Sequence, residues 1–155
     1  MRFLLVDRIL KLVPGVAIEA EKTLPASEEL FADHFPGFPV VPGVLLTEMM
    51  GQAASKCLQA QPHGRGNPML AEIRSARFRS WVRPDELIRL HASIERNEEK
   101  FAVARCHAEV NGRKVCSAEL LLVFVPASEF APGVRDEVLE AFFAQQGSSD
   151  RKETQ

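Results

Sequence analysis

The sequence predicts an α+β fold in which an antiparallel sheet curves around one long buried helix. Three observations carry that prediction. From about Gly43 to Ala60 the chain is apolar almost all round, with Val44, Leu45, Leu46, Met49, Met50, Ala53, Ala54, Cys57 and Leu58 leaving no broad polar face; such a helix is enclosed by other structure rather than laid on a surface. From Met69 to Val125 the pattern changes to alternation with a period of two, in segments separated by turn residues. Asn111-Gly112, between two of those segments, is the strongest hairpin signal in the chain. A helix that must be covered and strands with one apolar face satisfy each other as two layers.

Taken in order, residues 2–12 carry apolar positions at both helical and strand intervals, and no state is assigned to them. Pro14-Gly15 marks a turn. Val16–Leu24 alternates as a strand, with Val16, Ile18, Ala20 and Lys22 on one face. Ser27-Glu28-Glu29-Leu30-Phe31 reads as a short capped turn of helix. The stretch from His34 to Gly43 is a loop that cannot relax: Pro36, Pro39 and Pro42 fix φ and lack an N–H, and Gly37 and Gly43 admit unusual φ or close approach. It opens into the buried helix, which runs to about Ala60, and the breaker-rich segment Gln61–Pro68 follows.

Strands are then predicted over Met69–Trp81, 86–96, 101–110 and Val115–Val125, joined as an antiparallel meander by turns at Arg83-Pro84-Asp85, Asn97–Lys100 and Asn111-Gly112. Their inward positions are Ile88, Leu90, Ala92 and Ile94, then Ala102, Ala104, Cys106, Ala108 and Val110, then Cys116, Ala118, Leu120, Leu122 and Phe124. Pro126 stops the sheet. One domain is therefore expected over residues 1–126, with a C-terminal extension over 127–155. The extension holds an amphipathic helix over 133–144 (Val134, Val138, Leu139, Phe142, Phe143) and a polar, disordered tail from Gly147.

Composition narrows the function classes. At 155 residues, 46% hydrophobic and 26% charged, the chain is an ordinary globular domain, and its net charge of -2 offers no general attraction to nucleic acid. No apolar run reaches the length of a spanning helix, and the start, Met1-Arg2-Phe3-Leu4-Leu5-Val6-Asp7-Arg8, is charged too early for a signal peptide. Cys57, Cys106 and Cys116 are odd in number, lack metal-like spacing and fall at buried positions, where cysteine acts as a small hydrophobe. A cytoplasmic, reducing setting is the expectation.

Glu48 and Gln52 lie four residues apart on the buried helix and share a face. A carboxylate there is costly unless paired or used. His34 in the rigid loop and Glu48 on the helix can divide acid–base work, the imidazole taking a proton and the carboxyl supplying one. The Gly43 N–H at the helix start can polarise a carbonyl oxygen. Together these suit proton abstraction beside a carbonyl with loss of a β-hydroxyl. The residues alone do not select a substrate, and a solvated loop histidine beside a hydrogen-bonded helix glutamate is the more ordinary reading of the pair.

The run His-Phe-Pro-Gly-x-Pro-Val-x-Pro-Gly-Val-Leu-x-x-Glu-x-x-x-Gln, from His34 to Gln52, resembles the signature of the FabZ-type β-hydroxyacyl-acyl carrier protein dehydratases. Phe3–Ile9, Ala71–Arg79 and Glu119–Leu122 are similar to flanking segments of that family, so the resemblance spans roughly residues 3–125. It implies the hot-dog fold, with His34 and Glu48 as the catalytic pair. Gly43 becomes the backbone donor to the thioester carbonyl and Gln52 the residue that steadies the acid, with Phe35 and Val44 also at the substrate. It further implies an acyl carrier protein bearing a phosphopantetheine thioester as partner, a homodimer whose sites take His and Glu from different subunits, and a trimer of dimers as the larger assembly. No cofactor is implied. The related FabA-type enzymes, which also isomerise the double bond, carry Asp where this chain has Glu48, which favours dehydration without isomerisation.

The chain departs from the family pattern at Asp33, where Gly is usual, and mildly at Val41, where Met is common. Turned inward, the Asp33 carboxylate would favour the imidazolium form of His34; the expected orientation is outward. A hot-dog thioesterase and a non-catalytic acyl-thioester-binding module remain as alternative functions. Phe35, Phe38, Phe78, Met49 and Met50 suit either an acyl tunnel or the core. Arg74, Arg77, Arg79 and Arg83, with Lys56 and Arg65, suit either a solvated face or a basic patch for an acidic carrier protein. His63 is expected in solvent, and His91 and His107 on the polar faces of strands. No ligand spacing links these histidines, and no metal is expected.

Overall fold

The structure is a computed structural model describing residues 1–62, 64–133 and 135–149, with side chains as far as Gln146. Its elements are β1 (Arg8–Val13), β2 (Ala17–Thr23), α1 (Leu30–Asp33), α2 (Gly43–Gln59), β3 (Asn67–Phe78), β4 (Leu87–Asn97), β5 (Phe101–Val110), β6 (Arg113–Val125), a 3-10 turn (Ala127–Glu129) and α3 (Glu137–Ser149). The six strands form one antiparallel sheet in the order β1-β2-β4-β5-β6-β3, and α2 packs against every strand from β2 to β6. This is the α+β hot-dog layering that the apolar helix required. Met49, Met50, Ala53, Ala54, Cys57 and Leu58 of α2 are fully buried against Ile88, Leu90, Ala104, Cys106, Ala108, Leu120 and Leu122 of the sheet. A fully buried side chain of the Leu or Met class contributes about 1.5–3 kcal/mol relative to exposure, so covering α2 dominates the stability of the fold.

The hairpin at Asn111-Gly112 forms as read, with positive φ at both residues (51° and 74°). The undecided N-terminal segment becomes a strand from Arg8 and pairs with β2. Three expectations need correction. The helical turn near Ser27 starts later and has no side-chain cap: Glu29, at the N-cap position, is itself helical (φ -56°, ψ -31°), while capping needs an extended residue there. The strands are not one simple meander. β4, β5 and β6 follow one another, but β3 pairs with β6 at the far edge rather than with β4. Alternation identifies strands and faces but carries no information about the neighbour when a longer connection intervenes.

The third correction concerns the C-terminus. α3 begins at Glu137 rather than 133 and runs to Ser149, so Gly147 belongs to a helix; residues 150–155, the rest of the tail read as disordered, and Val134 lie outside the described residues. The start of α3 is set by Asp136, whose Oδ1 accepts hydrogen bonds from the N–H groups of Val138 (3.1 Å) and Leu139 (3.0 Å). The other carboxylate oxygen of Asp136 lies 2.5 Å from Nζ of Lys56, whose side chain is only 7% exposed. Val138 joins the core, and Leu139 and Phe142 pack against it.

Cys57, Cys106 and Cys116 are free and buried, and burial pushes their thiols up to about 11, 12 and 11. They are inert fillers, as read from their positions. Replacing Asp136 with Ala would leave the Lys56 ammonium buried without its counter-charge and remove the cap of α3. A loss of about 3–5 kcal/mol is expected, measured as a lower urea midpoint, while Asp136→Asn, which keeps the cap geometry, loses less.

Candidate active site

The loop half of the site is built at the end of α1. His34 ends that helix, with its N–H donating to Leu30 O (3.0 Å), and its peptide bond to Phe35 is cis. Phe35 and Phe38 exchange backbone hydrogen bonds (3.1 and 2.9 Å) around Gly37, whose φ of 75° is the left-handed value expected of that position. The Val40 N–H donates to His34 O (3.0 Å), and the Val41 N–H to Val82 O (2.7 Å), pinning the loop to the connection between β3 and β4. The three prolines leave few donors, and those of Phe35, Phe38, Val40 and Val41 are all used within the loop or against Val82.

This geometry sets the imidazole. His34 Nδ1 lies 3.1 Å from Val40 O. A carbonyl oxygen can only accept, so Nδ1 carries a proton, and Nε2 is the nitrogen that bears the lone pair in the neutral ring. Phe35 stacks on the ring at 4.1 Å and 27°. Asp33 is exposed and forms neither hydrogen bond nor ion pair with His34. Phe38 meets Trp81 edge-on at 6.3 Å, and the Arg83 guanidinium sits 4.9 Å above the Phe38 ring, giving the loop an aromatic rim.

The helix half starts at Gly43. Pro42 occupies the N-cap of α2 in an extended conformation, and the Gly43 N–H finds no acceptor within the described chain, so it remains an orphan donor at the positive end of a 17-residue helix. A Cβ on Gly43 would stand 2.9 Å from the Phe78 ring, which explains glycine here. Val44 beside it is 74% exposed. One turn on, Gln52 Nε2 donates to Glu48 Oε1 (3.0 Å) and to Phe3 O (3.2 Å), and Gln52 Oε1 accepts from the Leu5 N–H (2.9 Å). Gln52 is thus clamped by the N-terminal segment and in turn orients Glu48.

Gly43, Val44, Glu48 and Gln52 come together along the opening turns of α2, and Phe35 comes together with His34. The two halves are not joined: no hydrogen bond or ion pair links His34 to Glu48 among the described residues. The tunnel-or-core question divides. Met49 and Met50 are core, whereas Phe35, Phe38 and Phe78 are exposed beside the loop. The proposed basic patch also divides. Lys56 is buried against Asp136, Arg65 lies over Phe124 at 4.1 Å, Arg74 pairs with Glu119 at 3.5 Å, and Arg77 lies opposite Ser117 on the far face of the sheet, leaving Arg83 over Phe38 and Arg79, which also donates to Ser117 Oγ (2.8 Å), lining one cavity with Phe78 and Trp81. His63 lies outside the described residues. The Val40 carbonyl, the Phe3 and Leu5 backbone groups and Trp81 were not singled out from the sequence. Backbone groups carry no residue-type signal, and Trp81 had been placed inside a strand that ends at Phe78.

Comparison with known proteins identifies the family and the fold. A FabA-like domain family matches residues 1–119. The chain is 39% identical over 118 residues to the "3-hydroxyacyl-[acyl-carrier-protein] dehydratase FabZ" of Ligilactobacillus salivarius, covering 76% of this chain and 84% of the relative. It is 41% identical over 120 residues to the protein of the same name from Chloroflexus aggregans, covering 77% and 83%. Among solved structures, the dehydratase heterocomplex ApeI:P from Xenorhabdus doucetiae matches with a TM-score of 0.66 at 14% identity, covering 82% of this chain and 86% of that one. A hypothetical thioesterase with coenzyme A from Streptococcus pneumoniae matches at 0.60 and 12%, covering 77% and 85%. At such identities the structural matches establish the fold alone.

The clamp on Gln52 makes a stability prediction separable from chemistry. Gln52→Leu strands the buried Leu5 N–H and removes the donor to Glu48; a loss of about 1–3 kcal/mol is expected in denaturant unfolding. Gln52→Glu keeps an acceptor for Leu5 but sets a second carboxylate beside Glu48, and is expected to lose activity more than stability.

Proposed function

The chain belongs to the FabA-like domain family, and on that footing we propose that it carries out the reversible dehydration of a (3R)-3-hydroxyacyl-acyl carrier protein to the trans-2-enoyl-acyl carrier protein, in fatty acid or related lipid biosynthesis. The observation that carries the reading is the intact set His34, Gly43, Glu48 and Gln52 in a chain about two-fifths identical to FabZ dehydratases over most of both lengths. His34 Nε2 takes the α-proton while its Nδ1–H stays on the Val40 carbonyl. The electron pair moves into an enolate whose oxygen meets the Gly43 N–H. Glu48, held by Gln52, gives its proton to the β-hydroxyl; the C–O bond breaks and water leaves. The protein then holds an imidazolium and a carboxylate, and one proton passes back through solvent to reset it. Phe35 and Val44 flank the thioester arm. Glu48 in place of Asp favours dehydration without isomerisation.

A homodimer belongs to this reading. β3 closes the sheet with an unpaired edge, and Met69, Leu70, Ile73 and Phe78 on it are exposed. A 12-residue apolar edge strand is a ready template for another strand. The absence of any bond between His34 and Glu48 within one chain supports sites that take the histidine from one subunit and the glutamate from the other, with a trimer of dimers as the larger assembly. Arg79 and Arg83 beside Trp81 suit an acidic carrier protein and its phosphopantetheine arm. No helix among the described residues is long and apolar enough to cross a membrane, and we place the reaction in the cytoplasm. Residues 1–126 are read as the catalytic domain and 127–155 as an extension braced on it through Lys56 and Asp136.

With a crotonyl thioester, hydration followed by loss of enoyl absorbance is expected. His34→Ala and Glu48→Gln should each lower kcat/KM by about 10²–10⁴-fold; activity surviving both would sink the assignment, and release of free thiol would identify a thioesterase. Mixing the two inactive variants under exchange tests the shared site. Half the dimers are then mixed, each with one intact site of two, so roughly a quarter of wild-type activity should return. No recovery would place both residues of each site in one chain.

A further inference from the structure

The sheet has a second chemically distinctive place, on the face turned away from α2. Strand register there aligns Lys11, Glu19, His91, His107 and Ser117 as one row across β1, β2, β4, β5 and β6. His91 and His107 are direct cross-strand partners, and their imidazoles stack at 4.4 Å with an interplanar angle of 11°. Glu109, two residues beyond His107 and therefore on the same face, turns its carboxylate to both rings: Oε1 lies 3.1 Å from His107 Nε2 and Oε2 lies 3.7 Å from His91 Nε2. One ligand atom from each of the three residues falls within 4.8 Å of the others. The expectation that no ligand spacing links the histidines is thereby corrected. His91 and His107 are sixteen positions apart in sequence, and only the fold of β4 onto β5 makes them neighbours.

Three features set this cluster apart from an ordinary polar surface. First, His91 Nε2 is buried and has no hydrogen-bond partner. A proton on His107 Nε2 satisfies that ring against Glu109 but leaves His91 unserved. Second, the nearby cations are committed elsewhere. Lys11 pairs with Glu19 (3.3 Å), Arg89 with Glu21 (3.2 Å), and Arg105 with Glu95 (3.1 Å) and Glu119 (3.9 Å). Lys114, opposite Glu109 in register, forms no ion pair with it. Glu109 is left to the imidazoles. Third, the two rings lie nearly parallel at 4.4 Å, and both Nε2 atoms stand within 3.7 Å of the one Glu109 carboxylate. A groove lined by Leu12, Val13, Ile18 and both histidines gives access from solvent.

We propose that His91, His107 and Glu109 form a binding site for a borderline divalent transition-metal ion of the zinc class. Two imidazole nitrogens and one carboxylate oxygen are the donors such ions take, whereas Mg²⁺ and Ca²⁺ require oxygen ligands throughout. Ligands about 2.0–2.1 Å from a tetrahedral ion stand about 3.3 Å apart; each imidazole Nε2 already lies 3.1 or 3.7 Å from a Glu109 oxygen, and small side-chain rotations bring all three donors, within 4.8 Å of one another, to that spacing. The ion bridges β4 and β5 on the outer face, keeps an open position toward the groove, and takes no part in the proposed dehydration. The site stands independently of that reading.

The test uses the whole wild-type protein and Zn²⁺ in a chelator-buffered titration, with Co²⁺ as a visible reporter. One ion per chain and a rise in Tm are expected, with no response to Mg²⁺. His91→Gln, His107→Gln and Glu109→Gln should each weaken Zn²⁺ binding by more than about tenfold, leave crotonyl thioester hydration by the metal-free protein unchanged, and differ from His34→Ala, which binds Zn²⁺ normally. Should a variant fail to fold, imidazole ¹⁵N signals of the wild type decide: Zn²⁺ must shift those of His91 and His107. Unchanged affinity in the variants, loss of binding in His34→Ala, or shifts confined to His34 and His63 would overturn the proposal.

Discussion

Everything else in this fold depends on enclosing α2. Ten of its seventeen residues are buried, among them Met49, Met50, Ala53, Ala54, Cys57 and Leu58, and five strands supply the cover. The small residues on α2 and on the strands, Ala53 and Ala54 against Ala104, Cys106 and Ala108, let helix and sheet approach closely, so the sheet must curve to keep contact along the helix. The polar pair of α2, Glu48 and Gln52, is half-buried on the side covered by the N-terminal segment, whose Phe3 O and Leu5 N–H hold Gln52. A helix too apolar to be exposed is thus also the element that presents an acid at a controlled place.

Both halves of the site are preorganised by backbone groups rather than by each other. Val40 O holds His34 Nδ1, and the Leu5 N–H and Phe3 O hold Gln52, which holds Glu48. Each reacting group therefore keeps its orientation whether or not the opposite half is present. That suits a site assembled across two chains, because little reorganisation is left for the moment of assembly. The same logic accounts for the density of proline in the loop: residues with fixed φ lose little entropy on ordering.

The outer face of the sheet follows different rules. Around the histidine row it is polar, its charges are paired along and between strands, and most of those pairs are exposed enough to contribute less than about 1 kcal/mol each. Against that background the stacked histidines with Glu109 are exceptional, since they concentrate lone pairs where the rest of the surface balances opposite charges.

The sequence by itself determined the layers, the central helix, the strands' inward faces and the Asn111-Gly112 hairpin, and it supplied the residues proposed for the site. Each of these is a local matter: hydrophobic period, turn chemistry, or a run of nineteen residues from His34 to Gln52 whose types and spacing survive in one dimension. Tertiary structure alone decided that β3 sits beside β6 instead of β4, that α3 starts after Asp136, which caps it and pairs with Lys56, that Met49 and Met50 belong to the core while Phe35, Phe38 and Phe78 do not, and that His91 meets His107. These outcomes depend on which distant segments become neighbours. That choice is settled by the joint packing of all strands around α2, a property no local pattern contains.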